Sequence, residues 1–304
     1  MKQAIGRVLT GGVILILMLL SACAGQPGGS AGGNATIRVA SKDFTEQFIL
    51  GHMYALVLEN AGFTVERRLN LGGTPVVHEA LLNGQVDLYP EYTGTGLLTV
   101  LKQEVMSDPA AVYQTVNEMY REQFDLVWLQ PAPMNNTQAL AMTRARAEDL
   151  GIRTISDMVA RAGELVMVGP PEFVEREDGL PGIKAVYGDF ELRDYIAVDP
   201  GLRYQALTSG EADVAVAFGT DGEIAAFDLV VLEDDRNMFP PYQVAPVIRS
   251  EVLEANPGIE DVLNDLSARI TNEVMQSLNY EVSGNQREPE EVAREWLQQQ
   301  GLIE

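Results

Sequence analysis

ALLNGQVDLYPEY (80–92) and ALTSGEADVAVAF (206–218) are two writings of one unit. Both carry Ala-Leu, then Gly, then Asp, then a terminal aromatic, at a single offset of 126 residues. Each reads as a helix that stops at Gly84 or Gly210, a favourable residue just past a helix end. A buried strand follows and ends on Tyr92 or Phe218. The duplication predicts two lobes built alike. Ligands of open α/β sheets lie beyond the carboxyl ends of the strands, so the two aromatics are expected on opposite walls of one cleft. The competing reading is chance similarity of two helix–strand units; the repeat supports two lobes and does not by itself establish a binding site.

Working outward, short β-type runs alternate with helical patterns. TIRVA (36–40), a helix over 45–61, FTVERRL (63–69) and a helix near 75–83 lead into the strand VDLYP (86–90). A polar helix over about 109–123 follows. ELVMVG (164–169), a helix near 181–187, ELRDYIAV (191–198) and a helix near 202–209 lead into DVAVAF (213–218). From Pro257 to Gln300 the pattern is that of about three amphipathic helices. Alternating strand and helix predicts an α/β fold with mostly parallel sheets.

The 304 residues suffice for two domains, and a chain that is 46% hydrophobic and 21% charged buries a real core. With 21 basic against 44 acidic residues the formal charge is −23. Such a surface repels phosphate backbones, which argues against sequence-independent nucleic-acid binding. One Cys excludes a disulfide framework, and two His leave little for a His-based metal site.

The chain opens with Lys2 and Arg7, the apolar run VILILMLL (13–20), then Ser21-Ala22-Cys23. A basic start, a short apolar stretch and small residues before a cut site describe a secretory signal over 1–22. The ending Leu20-Ser21-Ala22-Cys23 resembles the bacterial lipobox, which implies acylation of Cys23 and an extracytoplasmic, membrane-anchored lipoprotein. The competing reading is an uncleaved anchor, for which the run is short. AGQPGGSAGGNA (24–35) reads as a flexible tether spanning roughly 20 Å. No later stretch is long and apolar enough to span a bilayer.

The chemistry-bearing motifs come in order: SKDFTEQFILG (41–51), LNLGGT (69–74), PEYTGT (90–95), NNTQALAM (135–142) and PEFVEREDGLPGI (171–183). GTDGEIAAFDLVVLEDD (219–235), FPPYQVAPV (239–247) and LNYEV (278–282) complete the series. Together, over about 36–304, they resemble the substrate-binding proteins of ABC importers for glycine betaine, choline, carnitine and related osmoprotectants. The resemblance implies a two-lobed periplasmic-binding-protein fold of type II with two hinge-crossing segments. Lobe I would comprise 36–136 plus 243–304, lobe II 139–240, and the crossings would lie near 136–139 and 240–243. It implies no cofactor and two partners: a quaternary ammonium solute, and a membrane permease whose ATPase is a separate chain.

A trimethylammonium group is charged but has no N–H, so aromatic faces are its natural seat, at roughly 0.5–2 kcal/mol per ring. The family's box has four tyrosines. Tyr92 and Tyr242 fall on two of them, Phe218 on a third with the hydroxyl lost, and Gln138 on the fourth. On the carboxylate side Lys42, Thr95 and Arg176 match, with Asn136 nearby. Losing one ring costs on the order of 1 kcal/mol. Gln138 offers an amide instead. Two readings remain open: a weaker betaine binder, or a receptor for a related cation with a further polar group, such as carnitine, proline betaine or a histidine-derived betaine.

Catalytic readings fare poorly. His52 and His78 sit in helical patterns with no HExxH or HxH spacing, and Glu46 near His52 reads as a helix-surface contact. LGGT (71–74) lacks the Gly-Lys-Ser/Thr ending of a phosphate loop. Glu233-Asp234-Asp235 reads as a solvated turn rather than a metal site. The sequence therefore describes a solute receptor and not an enzyme, its rivals being a sensor of the same fold and a surface lipoprotein with a degenerate cleft.

Overall fold

A computed structural model describes residues 36–175, 179–198 and 202–304. The expected leader, Cys23 and tether lie outside the described residues. Among those described, no helix is long and apolar enough to cross a membrane.

Among the described residues, ten strands form two sheets of five. The first holds β1 (Ile37–Ala40), β2 (Val65–Arg68), β3 (Leu88–Tyr92), β4 (Leu126–Trp128) and β10 (Val244–Arg249), in the order β2-β1-β3-β10-β4. The second holds β5 (Gln138–Thr143), β6 (Val166–Gly169), β7 (Asp194–Ala197), β8 (Val214–Phe218) and β9 (Leu229–Val231), in the order β7-β6-β8-β5-β9. The two orders are the same pattern. In each, three strands run parallel, and a fourth, inserted strand is antiparallel to both neighbours.

Four of the five strands in each sheet thus run the same way, as the alternation of elements suggested, and the sheets are mixed only because one strand runs against them. The reason lies in β5 and β10. Each arrives from the opposite sheet along a crossing segment, and so needs no helical crossover to set its direction. The crossing segments pair with each other: Asn135 bridges Gln243, Asn136 N–H donates to the Tyr242 carbonyl, and the Thr137 hydroxyl donates to the Pro240 carbonyl at 3.1 Å.

The sequence echo becomes a structural repeat. Gly84 (φ 65°) and Gly210 (φ 80°) both take the left-handed conformation that ends a helix at little steric cost. Beyond them, Gln85 N–H reaches back to the Ala80 carbonyl at 2.8 Å, and Glu211 N–H to Ala206 at 3.0 Å. Asp87 then donates its backbone N–H to Arg38 and accepts the Arg38 N–H on its carboxylate at 2.8 Å. Asp213 does the same with Val166, at 2.8 and 2.9 Å. The shared Asp thus ties each returning strand to the start of its parallel neighbour.

Helix Thr45–Asn60 is apolar on nearly every side and correspondingly buried, with Leu50, Met53 and Leu58 inaccessible. It packs with the carboxyl-terminal helices Gly258–Ser267, Asn272–Ser283 and Pro289–Gln299 over one face of the first sheet. The other face is covered by a core around Val77, Leu81, Val116, Tyr120 and Trp128. The second sheet is likewise buried on both faces. With their faces committed, the sheets leave their strand ends to build a site.

Candidate functional site

A cavity of about 580 Å³ is lined from both sheets, within the usual range for small-ligand sites. Tyr92, at the carboxyl end of β3, and Phe218, at the carboxyl end of β8, both line it. Tyr242, just before β10, and Gln138, first residue of β5, line it as well. So do Lys42, Thr95 and Asn136. Arg176 lies outside the described residues.

Local structure accounts for much of this placement. After β3 the chain turns at once into Thr93–Thr95, where a Cβ on Gly94 would lie 2.8 Å from both the Pro241 carbonyl and the Tyr242 ring. Only the bare glycine of PEYTGT lets the Tyr242 ring approach so closely. The Thr93 hydroxyl donates to the Pro241 carbonyl at 3.1 Å, fixing the diproline segment that precedes that ring.

The rings already attract the protein's own cations. Lys42 Nζ stands 5.1 Å from the Tyr92 ring centre, and the Arg203 guanidinium 5.7 Å from that of Phe218 and 4.6 Å from that of Tyr204. Phe44, exposed at the cavity, stacks on Tyr92 with centroids 6.2 Å apart.

Both cations come with a carboxylate. Lys42 Nζ lies 2.5 Å from Glu91 Oε1, and both side chains are buried. Glu91 also accepts from the Tyr89 hydroxyl at 3.0 Å and the Tyr92 N–H at 2.7 Å. Arg203 Nη2 lies 2.6 Å from Asp221 Oδ2, which further accepts from the Tyr204 hydroxyl and from Phe218 N–H. Burial works against the Arg203 charge, but Asp221 and Tyr204 outweigh it and hold the guanidinium above its ordinary pKa.

Glu46 is not on a helix surface, as its spacing from His52 suggested. It lines the cavity and is 3% exposed. Its Oε1 accepts from the Tyr92 hydroxyl at 2.6 Å and from Asn136 Nδ2 at 2.9 Å, and its Oε2 from Asn279 Nδ2 at 2.9 Å. Burial pushes the Glu46 carboxyl up, against the hydrogen bonds it accepts. Burial, followed by the neighbouring Glu46 charge, pushes the Tyr92 phenol well up, so Tyr92 remains a donor. His52 faces Glu290 instead, at 3.8 Å.

Sequence reasoning did not assign Glu46, Arg203, Tyr204, Asp221 or Asn279 to the site, although all of them line the cavity. Three lay inside quoted motifs: Glu46 in SKDFTEQFILG, Asp221 in GTDG and Asn279 in LNYEV. Polar residues embedded in otherwise apolar helix or strand ends were the available signal. Arg203 and Tyr204 carried none. The run Glu233-Asp234-Asp235 is a capped turn: Asp234 accepts from the Tyr187 hydroxyl and from Met238 and Phe239 N–H, and Asp235 from Ser156.

Residues 35–299 match the family model for the substrate binding domain of ABC-type glycine betaine transport systems. The chain is 36% identical to the glycine-betaine-binding protein of Pseudomonas aeruginosa, covering 95% of this chain and 96% of that one. It is 33% identical to the ergothioneine transport permease/ergothioneine binding protein of Helicobacter pylori, matching over 97% of its own length and spanning 53% of that protein. A solved structure of a glycine betaine/carnitine/choline ABC transporter superposes with a TM-score of 0.83 at 31% identity, over 88% of this chain and 100% of that chain.

Proposed function

The chain belongs to the family of substrate-binding domains of ABC-type glycine betaine transport systems, and on that premise we propose that it captures a quaternary ammonium solute in the cavity between its two sheets and delivers it to a membrane permease. The observation that carries the reading is the convergence of Tyr92, Phe218 and Tyr242 on one cavity from β3, β8 and the segment before β10. Three ring faces suit a cation that cannot be hydrogen-bonded through N–H. Thr95, Asn136 and Gln138 add polar contacts, and Lys42 and Arg176 serve the acid end of a betaine-type ligand.

In this proposal the first sheet with its helices is one lobe (36–136 and 243–304) and the second sheet the other (139–240). The paired crossings near 136–139 and 240–243 are the hinge. A solute touching both lobes favours the closed form by its differential affinity for it. The closed form then docks on a permease powered by an ATPase on another chain. The sequence Leu20-Ser21-Ala22-Cys23 supports lipid anchoring outside the cytoplasm, with Cys23 acylated. Among the described residues, the cations that line the cavity, Lys42 and Arg203, are each engaged by a carboxylate, which suits charge balance around a solute and not bond breaking.

A thermal-shift screen of the full chain against glycine betaine, choline, carnitine, ergothioneine, proline and ordinary amino acids tests this. A ligand at about 100 times its Kd stabilises by about 2.7 kcal/mol, a shift of several degrees. Stabilisation by at least one quaternary ammonium compound, and not by the amino acids, is the expected result. No shift with any of them contradicts the reading.

A further inference from the structure

We propose that Glu46 is the counter-ion of the cavity: its carboxylate balances the charge of the bound ammonium, and capture of the solute drives a proton from Glu46 into the surrounding buffer. This rests on the quaternary ammonium reading of the site and adds to it where the cationic head sits and what its arrival displaces.

The geometry singles out Glu46 among the charged groups around the cavity. From the loop after β1 come Lys42 and Asp43, from β3 Glu91 and Tyr92, from helix Arg203–Thr208 Arg203, and from the turn and short helix after β8 Asp221 and Glu223. Helix Asn272–Ser283 presents only the neutral Asn279 and Ser283. Lys42 is matched by Glu91 at 2.5 Å and Arg203 by Asp221 at 2.6 Å. Asp43 is exposed and Glu223 half-buried, so water screens both. Among the described residues, Glu46 alone is a buried carboxylate at the cavity whose hydrogen bonds come from neutral groups: a phenol, two amides and the Thr220 side chain. A desolvated charge with no counter-charge is costly. A solute cation entering the cavity supplies one.

Two further features point the same way. The Asn136 and Asn279 amide nitrogens are turned to Glu46, which leaves Asn136 Oδ1 and Asn279 Oδ1 buried without a hydrogen-bond partner. These two buried oxygens add negative partial charge behind the wall that Glu46 lines, which suits a positive charge in the cavity. The Tyr92 hydroxyl donates to the same carboxylate at 2.6 Å; that bond draws electron density into the ring and strengthens the face on which the ammonium rests.

Proton release follows from charge. Burial already favours the protonated acid in the empty site. A cation beside the carboxylate favours the ionised form, so binding expels whatever fraction of a proton Glu46 held. By linkage, affinity for the cation rises with pH through the range in which Glu46 titrates and is level above it.

Choline is the probe, because it has no carboxylate to engage Lys42 or Arg176. Calorimetric titrations of the full chain at about pH 5 and about pH 7.5, each in two buffers of different ionisation enthalpy, read affinity and proton release together. The expected result is affinity several-fold higher at the upper pH, with buffer-dependent heat at the lower one. Glu46→Gln should bind choline about tenfold or more weakly at the upper pH, with neither pH dependence nor buffer dependence. Wild-type binding that is indifferent to pH and buffer, or a Gln variant equal to wild type, overturns the proposal while leaving the solute reading intact. Failure of choline and every other quaternary ammonium compound to bind the wild type overturns both. Should Glu46→Gln not fold by circular dichroism, the wild-type pH and buffer dependence decides, with Glu46→Asp expected to retain it.

Discussion

Gln138 stands directly opposite Phe218 in the antiparallel pair of β5 and β8. Cross-strand neighbours of this kind hold their side chains about 5 Å apart, and both line the cavity. An aromatic at 138 would therefore present a ring beside that of Phe218. Gln138→Tyr is expected to tighten glycine betaine binding several-fold, by roughly 0.5–2 kcal/mol, measured by calorimetric titration. Weaker binding would mean that the amide itself contacts the solute and that the native cargo carries a further polar group.

Phe218 reaches the cavity from β8 and Tyr242 from the segment before β10, so their contributions should be separable. Phe218→Ala and Tyr242→Ala are each expected to weaken quaternary ammonium binding by on the order of 1 kcal/mol. Phe218→Tyr should hold affinity within a few-fold, because the ring face is kept. Equal affinities for all three variants and wild type would remove these rings from the site.

Gly94 sets the Tyr242 ring in place by having no side chain. Gly94→Ala would put a methyl 2.8 Å from that ring and from the Pro241 carbonyl. Something must move, at a cost of about 1–3 kcal/mol in stability. The expected outcome in denaturant unfolding is that loss, accompanied by weakened solute binding; a fully stable variant with unchanged affinity would contradict the packing described.

The Lys42–Glu91 pair is buried on both sides. Glu91→Ala strands an ammonium away from water and should cost about 3–5 kcal/mol, read from urea unfolding. Replacing both, as Lys42→Met with Glu91→Leu, should cost less than the sum of the single changes, the signature of an interacting pair. Additive losses would show that the two charges do not depend on each other.

Glu46 also predicts a pH dependence of the empty protein. Its folded-state pKa is raised by burial, so the folded chain holds this proton more tightly than the unfolded one. The resulting stability is fully present below the ordinary carboxylate range and is lost as pH rises through the raised value. Glu46→Gln cannot titrate. Its melting temperature, measured relative to wild type without solute, should therefore improve as pH rises from about 5 to about 7.5. A constant difference would contradict the assignment.

How far the sequence could be read depended on whether a residue's role is local. Gly84 and Gly210 mark helix ends through a backbone preference that needs no tertiary context, and the elements around them were legible. The one reversed strand in each sheet was not, because the direction of β5 and β10 is set by where the chain has crossed from, which no local pattern records. Short strands such as β4 and β9 carry too few residues for a period to show. In the site, Tyr92, Phe218 and Tyr242 were visible as aromatics in ordered motifs. Arg203 was hidden, since its partner Asp221 lies eighteen residues on and only folding joins them. Glu46 misled because its helical neighbour His52 is near in sequence, whereas Asn136 and Asn279, its actual partners, are distant.

The central claim is that positive charge, not shape, is what the aromatic cavity recognises. Choline and 3,3-dimethylbutan-1-ol share a shape and differ in the charge of the central atom. Competing them by calorimetric titration against the full chain tests the claim directly. Choline is predicted to bind at least about tenfold more tightly; equal affinity for the uncharged alcohol would contradict it.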